Sequence, residues 1–419
     1  MIYYATMKLR TDTLLEKAEE LLRSHRLCDQ CLGRQFAKLG HGLSNRERGR
    51  ALRVLLSLAA DRPIAELEAE GCELCLGHFA RLEEWAERAL AKVADIEFKT
   101  FLVGSRFPEF LERAERELQA EYGLEHAGRL KHDLNREVGK LLEQKLAAQG
   151  RKVEAELRRP EVAILLDLVM DRVQVKISPL FIYGRYRKLI RGIPQTHWPC
   201  KRDDEHCQDG KRYPESVEEL ITPPLLEAAR GRKAAFHGAG REDIDARMLG
   251  TGRPFVVEIS EPRVRSLDLQ KLEEEINEQA AGKVEVSRLQ FTEREMVEYL
   301  KSAHAAKRYR ARVRFAAPVE EGQLQEALRG LIGVIKQRTP RRVAHRRADL
   351  VRERSVYRIE GRLLDPQTAE LEVECEGGLY VKELVSGDEG RTKPSLSELL
   401  GVSAEVTELD VLEILGDFP

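Results

Sequence analysis

Between residues 11 and 25, Leu14, Leu15, Ala18, Leu21 and Leu22 recur at helical spacing, and Thr13 with Glu16 forms a capping box at the start. A second helical stretch covers residues 51–58. The rhythm changes after residue 92. Phe98–Val103 reads as a strand, residues 109–120 and 128–149 as helices, and Val162–Val169, Val173–Ile177 and Pro179–Tyr186 as extended segments. Pro194, Pro199, Pro214, Pro223 and Pro224 then predict an irregular linker. From Phe236 onward strands are expected at residues 255–259, 284–291, 308–315, 350–360, 370–375 and 406–415, with helices at 267–279, 324–331 and near 396–400. Strands outnumber helices and the connections are irregular. The pattern predicts an α+β chain whose last region holds a mixed, mostly antiparallel sheet with helices on one side. The expected divisions are 1–92, helical; 93–195, α+β; 196–235, linker; and 236–419, a single domain.

Composition narrows the class. The 419 residues, 42% of them apolar, suffice for two or three cores. No apolar run is long enough to span a bilayer, and the first eight residues lack the apolar stretch of a secretion signal, so a cytoplasmic protein is expected. Net charge is only −2, but 34% of residues are charged and the arginines cluster, which suits a local basic groove rather than a polycation.

Two of the cysteine pairs share one form: Cys28-Asp29-Gln30-Cys31-Leu32-Gly33 and Cys72-Glu73-Leu74-Cys75-Leu76-Gly77. Each turn lets two thiolates bind one ion, and the two knuckles together complete a tetrahedral zinc site. Both lie far in sequence from the acidic run described next, so a structural Zn2+ is expected. His197, Cys200, His206 and Cys207 match no standard knuckle.

One short run concentrates acids and arginines: Gly240-Arg241-Glu242-Asp243-Ile244-Asp245-Ala246-Arg247, followed by Met248-Leu249-Gly250-Thr251-Gly252-Arg253-Pro254-Phe255. Taken by charge alone it is a salt-bridged turn. An anchored carboxylate beside guanidinium groups can also act as a nucleophile. Asp243 and Asp245 would face the same side of an extended segment, so spacing does not choose between them. No glycine-rich nucleotide loop is present, because both Gly-x-Gly pairs lack the third glycine. Rings and cations interleave at Tyr183, Arg185, Tyr186, Arg187, Lys188 and Arg191, a pattern suited to RNA, or to a solvated strand pair with buried rings. Residues 337–347 form a dense basic loop, with Arg338, Arg341, Arg342, Arg346 and Arg347 as candidate phosphate contacts.

The run from Gly240 to Phe255 resembles the catalytic motif of the tRNA pseudouridine synthases that act on the TΨC arm in archaea. Residues 93–195 resemble a THUMP RNA-binding domain. The likeness covers nearly the whole chain, most tightly residues 236–401. It implies an N-terminal zinc-bearing, THUMP-like RNA-binding region followed by a pseudouridine synthase domain. It further implies an isomerase of uridine at tRNA positions 54 and 55, acting as a monomer on tRNA, with no organic cofactor and no membrane. By the same resemblance Asp243 is the nucleophile, Tyr309 stacks on the target base, Val381 floors the pocket and Lys382 pairs with Asp243. Tyr380 is a candidate substrate contact. By spacing alone, Tyr309 is equally a tyrosine that merely packs. Some relatives carry a second doubled Cys-x-x-Cys in the linker, where only Cys200 and Cys207 stand here. A different reading makes the chain a non-catalytic tRNA-binding or chaperone protein with a degenerate synthase domain.

Overall fold

The computed structural model describes residues 11–68, 70–200, 212–303, 305–346 and 348–419. The chain divides into two compact units, Met1–Ser178 and Pro179–Pro419.

The first unit opens with helices Thr11–Ser24, Asp29–Arg34, Asn45–Ala60 and Leu82–Lys92. Ser44 caps the third through a reciprocal bond with Glu47. Gly33 and Gly49 let the second and third helices touch backbone to backbone. A Cβ at Gly33 would run into the Asn45 carbonyl, and one at Gly49 into that of Asp29. Arg53, fully buried, donates to Asp29 at 2.7 Å and ties the same pair together. This packing sets the turn carrying Cys28 and Cys31. Next come strands β1 (Thr100–Arg106), β2 (Glu154–Ala155), β3 (Val162–Asp167) and β4 (Arg172–Ile177), in the order β2-β1-β3-β4. β1 runs parallel to β2 and β3, and β4 is antiparallel to β3. Helix Leu130–Ala148 buries Leu134, Val138, Leu142 and Leu146 in the core that this sheet shares with Trp85 and Phe101.

The second unit is built on one ten-stranded sheet. Its strands are β5 (Leu180–Lys188), β6 (Lys233–Gly238), β7 (Ala246–Ser260), β8 (Val284–Thr292), β9 (Ala306–Phe315), β10 (Gly333–Arg338), β11 (Val351–Asp365), β12 (Thr368–Cys375), β13 (Thr392–Lys393) and β14 (Ala404–Leu415). Their order is β13-β10-β11-β12-β9-β14-β7-β5-β8, with β6 also paired to β7. Every pairing is antiparallel except β14 with β7. Helix Glu321–Gly330 packs on β11 and helix Leu269–Gln279 on β8.

Two expectations change. Strand β5, expected with the N-terminal α+β region, lies between β7 and β8 of the second sheet. Both its faces are covered, so Tyr183 and Tyr186 are fully buried and stack on no RNA. The linker expected over 196–235 contains helix Val217–Ala228, with Pro223 and Pro224 inside it. Prolines cost a helix interior about 3 kcal/mol. Here burial of Val217, Ile221 and Leu225 on one face offsets that cost, and the Ser216 side chain caps the first turn.

Candidate active site

Several segments of the second unit converge on a cavity of about 470 Å³. They include the loop between β6 and β7, the start of β9, the segment between β10 and β11 that carries Arg342, strand β14, and the turn after β12 that leads into helix Val381–Ser386. Glu242, Asp243, Lys307, Tyr309, Arg342, Tyr380, Val381 and Lys382 line it, with Ala246, Leu409 and Val411 as apolar wall.

A buried polar lattice holds the acidic loop. Glu242 is 5% exposed and accepts from Arg253 Nε at 2.9 Å and from the Tyr186 hydroxyl at 2.8 Å. Arg253 also donates to the Ala239 carbonyl at 2.7 Å. Gln195 donates to the Gly240 carbonyl at 2.9 Å and to the Tyr186 oxygen at 2.8 Å. Lys188 sends its ammonium to the carbonyls of Ile193, Asp243 and Ile244, at 2.9, 3.2 and 3.1 Å. Burial lowers the pKa of this lysine from the ordinary value. Backbone atoms on both sides of Asp243 are therefore fixed from beneath, leaving its carboxylate free to face the cavity.

The Asp243 side chain is 30% exposed, and its nearest cation is Arg342, at 2.9 Å. Arg342 is itself gripped by Glu383, at 2.6 Å. Burial opposes the charge of Arg342, but Glu383 and then Asp243 outweigh it and keep the guanidinium firmly protonated. Lys382 sits 3.7 Å from Asp243 and 2.6 Å from Asp245. Burial pushes the Asp245 carboxyl up, but Lys382 more than reverses this and holds it below the usual value. Asp245 is 66% exposed and does not line the cavity, so the geometry separates the two aspartates where spacing does not. Tyr309 and Val381 line the cavity wall. Burial is the main cause raising the Tyr309 phenol, which stays neutral.

The candidate RNA contacts divide. Lys188 is fully buried among backbone carbonyls, and Arg185 is 5% exposed, bonded to Thr251 and to the Gly252 and Pro419 carbonyls. Both guanidinium and ammonium groups are taken up by these internal partners. Arg187 remains at the surface, paired with Glu285. Arg338 and Arg341 are exposed, beside Asp349 and Glu389. Arg342 leaves the phosphate set, because its guanidinium faces Asp243. The side chain of Arg346 and all of Arg347 lie outside the described residues, as do His206 and Cys207. Spacing also missed Glu242, Arg253 and Lys307. The only sequence signal for the first two was a buried-type strand flanked by opposite charges.

In the first unit, the thiol sulfurs of Cys28, Cys31, Cys72 and Cys75 lie within 4.8 Å of one another, three of the four residues buried. These four could hold a metal ion. Among the described residues no helix is long and apolar enough to cross a membrane.

Comparison with known proteins agrees with these two halves. Residues 181–415 match the family model described as Pus10, C-terminal, and residues 85–167 match the one described as Pus10 THUMP domain, archaeal. A protein of Methanothrix thermoacetophila named tRNA pseudouridine synthase Pus10 is 47% identical, over 96% of this chain and 95% of its own length. The protein of that name from Halorubrum lacusprofundi is 47% identical over 96% and 97%, and that from Pyrococcus furiosus 44% over 96% and 98%. The chain belongs to the Pus10 family.

Proposed function

We propose that this protein is a tRNA pseudouridine synthase that isomerises uridine in the TΨC arm, at positions 54 and 55, with Asp243 as nucleophile. The observation that carries the reading is the carboxylate of Asp243, anchored from below and paired with Arg342, opening onto a cavity walled by Tyr309 and Val381. Relatives named tRNA pseudouridine synthase at 40–47% identity support the pseudouridine synthase part of the reading.

The target nucleoside must leave its stack, at a cost of a few kcal/mol. Tyr309 packs against the base, with Val381 as the floor. The Asp243 carboxylate attacks C1′ of the ribose as the bond from C1′ to N1 breaks, its electron pair leaving with the base. The base turns, C5 displaces the aspartate from C1′, the proton leaves C5 and N1 takes one up. Atoms balance without any redox change or outside group, so the reaction needs no organic cofactor. Arg341 and Arg338 at the rim, with Arg187, are candidates for phosphate contact. We read the enzyme as a monomer, and a cytoplasmic place fits a tRNA substrate.

The four cysteines are read as a structural Zn2+ site. Cys28 and Cys75 sulfurs stand 3.8 Å apart. Zinc–sulfur bonds of about 2.3 Å at tetrahedral angles put neighbouring sulfurs about 3.8 Å apart, so the set fits that ion.

The test is to incubate unmodified tRNA, and T-arm variants with each uridine changed in turn, with wild type and Asp243→Asn, then map pseudouridine by mass. Product at the T-arm uridines with wild type alone is expected. Full activity in the variant removes Asp243 from its role, and tRNA binding without isomerisation by wild type overturns the activity.

A further inference from the structure

Lys307 has no part in the mechanism above, yet it lines the same cavity. Residues two apart on a strand share a face, so Lys307 and Tyr309 of β9 project to the same side. The backbone at Gly240 brings the acidic loop against it: a Cβ there would stand 3.2 Å from the Lys307 ammonium and 3.3 Å from Arg253. Gly240 takes φ of 76°, which glycine adopts without strain. Among the described residues the Lys307 ammonium has no hydrogen bond and no ion pair. Its neighbour Glu242 is already satisfied by Arg253 and Tyr186.

We propose that Lys307 is a catalytic residue of the isomerisation, donating a hydrogen bond to a carbonyl oxygen of the target base and holding the negative charge that the base carries while detached from the sugar. The inference rests on the reading of Asp243 as nucleophile. When the bond from N1 to C1′ breaks, its electron pair spreads from N1 onto the uracil oxygens. An ammonium at that edge, half-buried and unpaired in the free enzyme, stabilises this charge from a position already fixed by the fold. No proton need change hands. Arg342 and Lys382 are committed to Asp243, Glu383 and Asp245, so they do not supply this charge.

The surroundings make its protonation sensitive to pH. Burial first, then the Arg253 guanidinium of β7, bring its pKa down to about 8. On the loop, Glu242 works the other way but is neutralised by Arg253. On β12, burial pushes the Cys375 thiol up to about 12, so it is neutral near pH 8. Tyr309 is neutral as well. On β14 the register partner is the apolar Ile414. A required ammonium is present below pH 8 and lost above it, so the rate falls as pH rises through about 8.

The test uses the full-length protein and unmodified tRNA under single turnover, with Lys307→Gln, Lys307→Arg and Asp243→Asn beside wild type, from pH 6 to 10. Lys307→Gln is expected to slow isomerisation about 100-fold with tRNA affinity within about threefold of wild type. Lys307→Arg, which stays protonated throughout, is expected to recover most of the rate and to lose the fall near pH 8. Should Lys307→Gln melt early, Lys307→Arg alone carries the pH test. A Lys307→Gln rate and profile equal to wild type overturns the proposal. So does a rate loss matched by an equal loss of tRNA affinity, or an unshifted basic limb in Lys307→Arg. Full activity in Asp243→Asn instead sinks the nucleophile reading, separately from Lys307.

Discussion

At the scale of single residues, Asp243 was singled out by resemblance, because spacing alone left it level with Asp245. Arg342 was legible only as a charge. A basic run such as residues 337–347 states that cations are present, and not where they point. Arg338 and Arg341 face outward while Arg342 turns inward to Glu383 and Asp243. The same limit explains Lys188, whose charge reads as surface but whose ammonium meets three backbone carbonyls. Arg342→Ala would leave the Glu383 carboxylate, 5% exposed, without its cation and free Asp243 to rotate. A fall in kcat of about 100-fold is expected, with tRNA affinity changed far less. Lys382 cannot replace it from 3.7 Å while held by Asp245. Single-turnover rates and filter binding with the same tRNA check this, and an affinity loss as large as the rate loss returns Arg342 to phosphate binding.

At the scale of elements, most of the strands expected in the second unit lie close to their places, although β7 begins at Ala246 rather than residue 255. Strand β9, for example, begins two residues before its expected start. β6, β10, β13 and helices Arg294–Ser302 and Val381–Ser386 were not expected, and two further elements were misread. Helix Val217–Ala228 hides behind its two prolines, and β5 was given to the wrong unit because strand pairing across sequence leaves no local mark. The loop between β6 and β7 owes its shape to Glu242, Arg253 and Tyr186, three residues from three segments. Removing one partner of a buried ion pair costs about 3–5 kcal/mol. Glu242→Ala should therefore lower the melting temperature by roughly 10 °C. It should also depress activity, since Arg253 no longer anchors the loop ahead of Asp243. Calorimetry on the purified variant tests this, and an unchanged melting point contradicts the anchoring. In the first unit the helix bearing Cys31 and the turn bearing Cys72 and Cys75 share one core. Cys72→Ala is expected to abolish stoichiometric zinc and to lower the melting temperature, read by metal analysis and the same calorimetry. Unchanged zinc content would exclude the four-cysteine site.

At the scale of the molecule, a chain of net charge −2 gathers arginines locally, and its catalytic unit places exposed cations near the cavity. That juxtaposition follows from the sheet. Parallel pairing of β7 with β14 sets the acidic loop against the start of β9, and β12 delivers the turn with Tyr380 and Val381 to the opposite wall. No window of sequence records such a meeting, because its parts, Asp243, Tyr309 and Val381, lie far apart in the chain. Everything functional depends on which carboxylate faces the everted base. The direct measurement is single-turnover pseudouridine formation in one T-arm substrate by Asp243→Asn and Asp245→Asn side by side. The expected result is a loss of at least about 10⁴-fold in the first, with the second within about tenfold of wild type. Wild-type turnover by Asp243→Asn, with the large loss moved to Asp245→Asn, would contradict it.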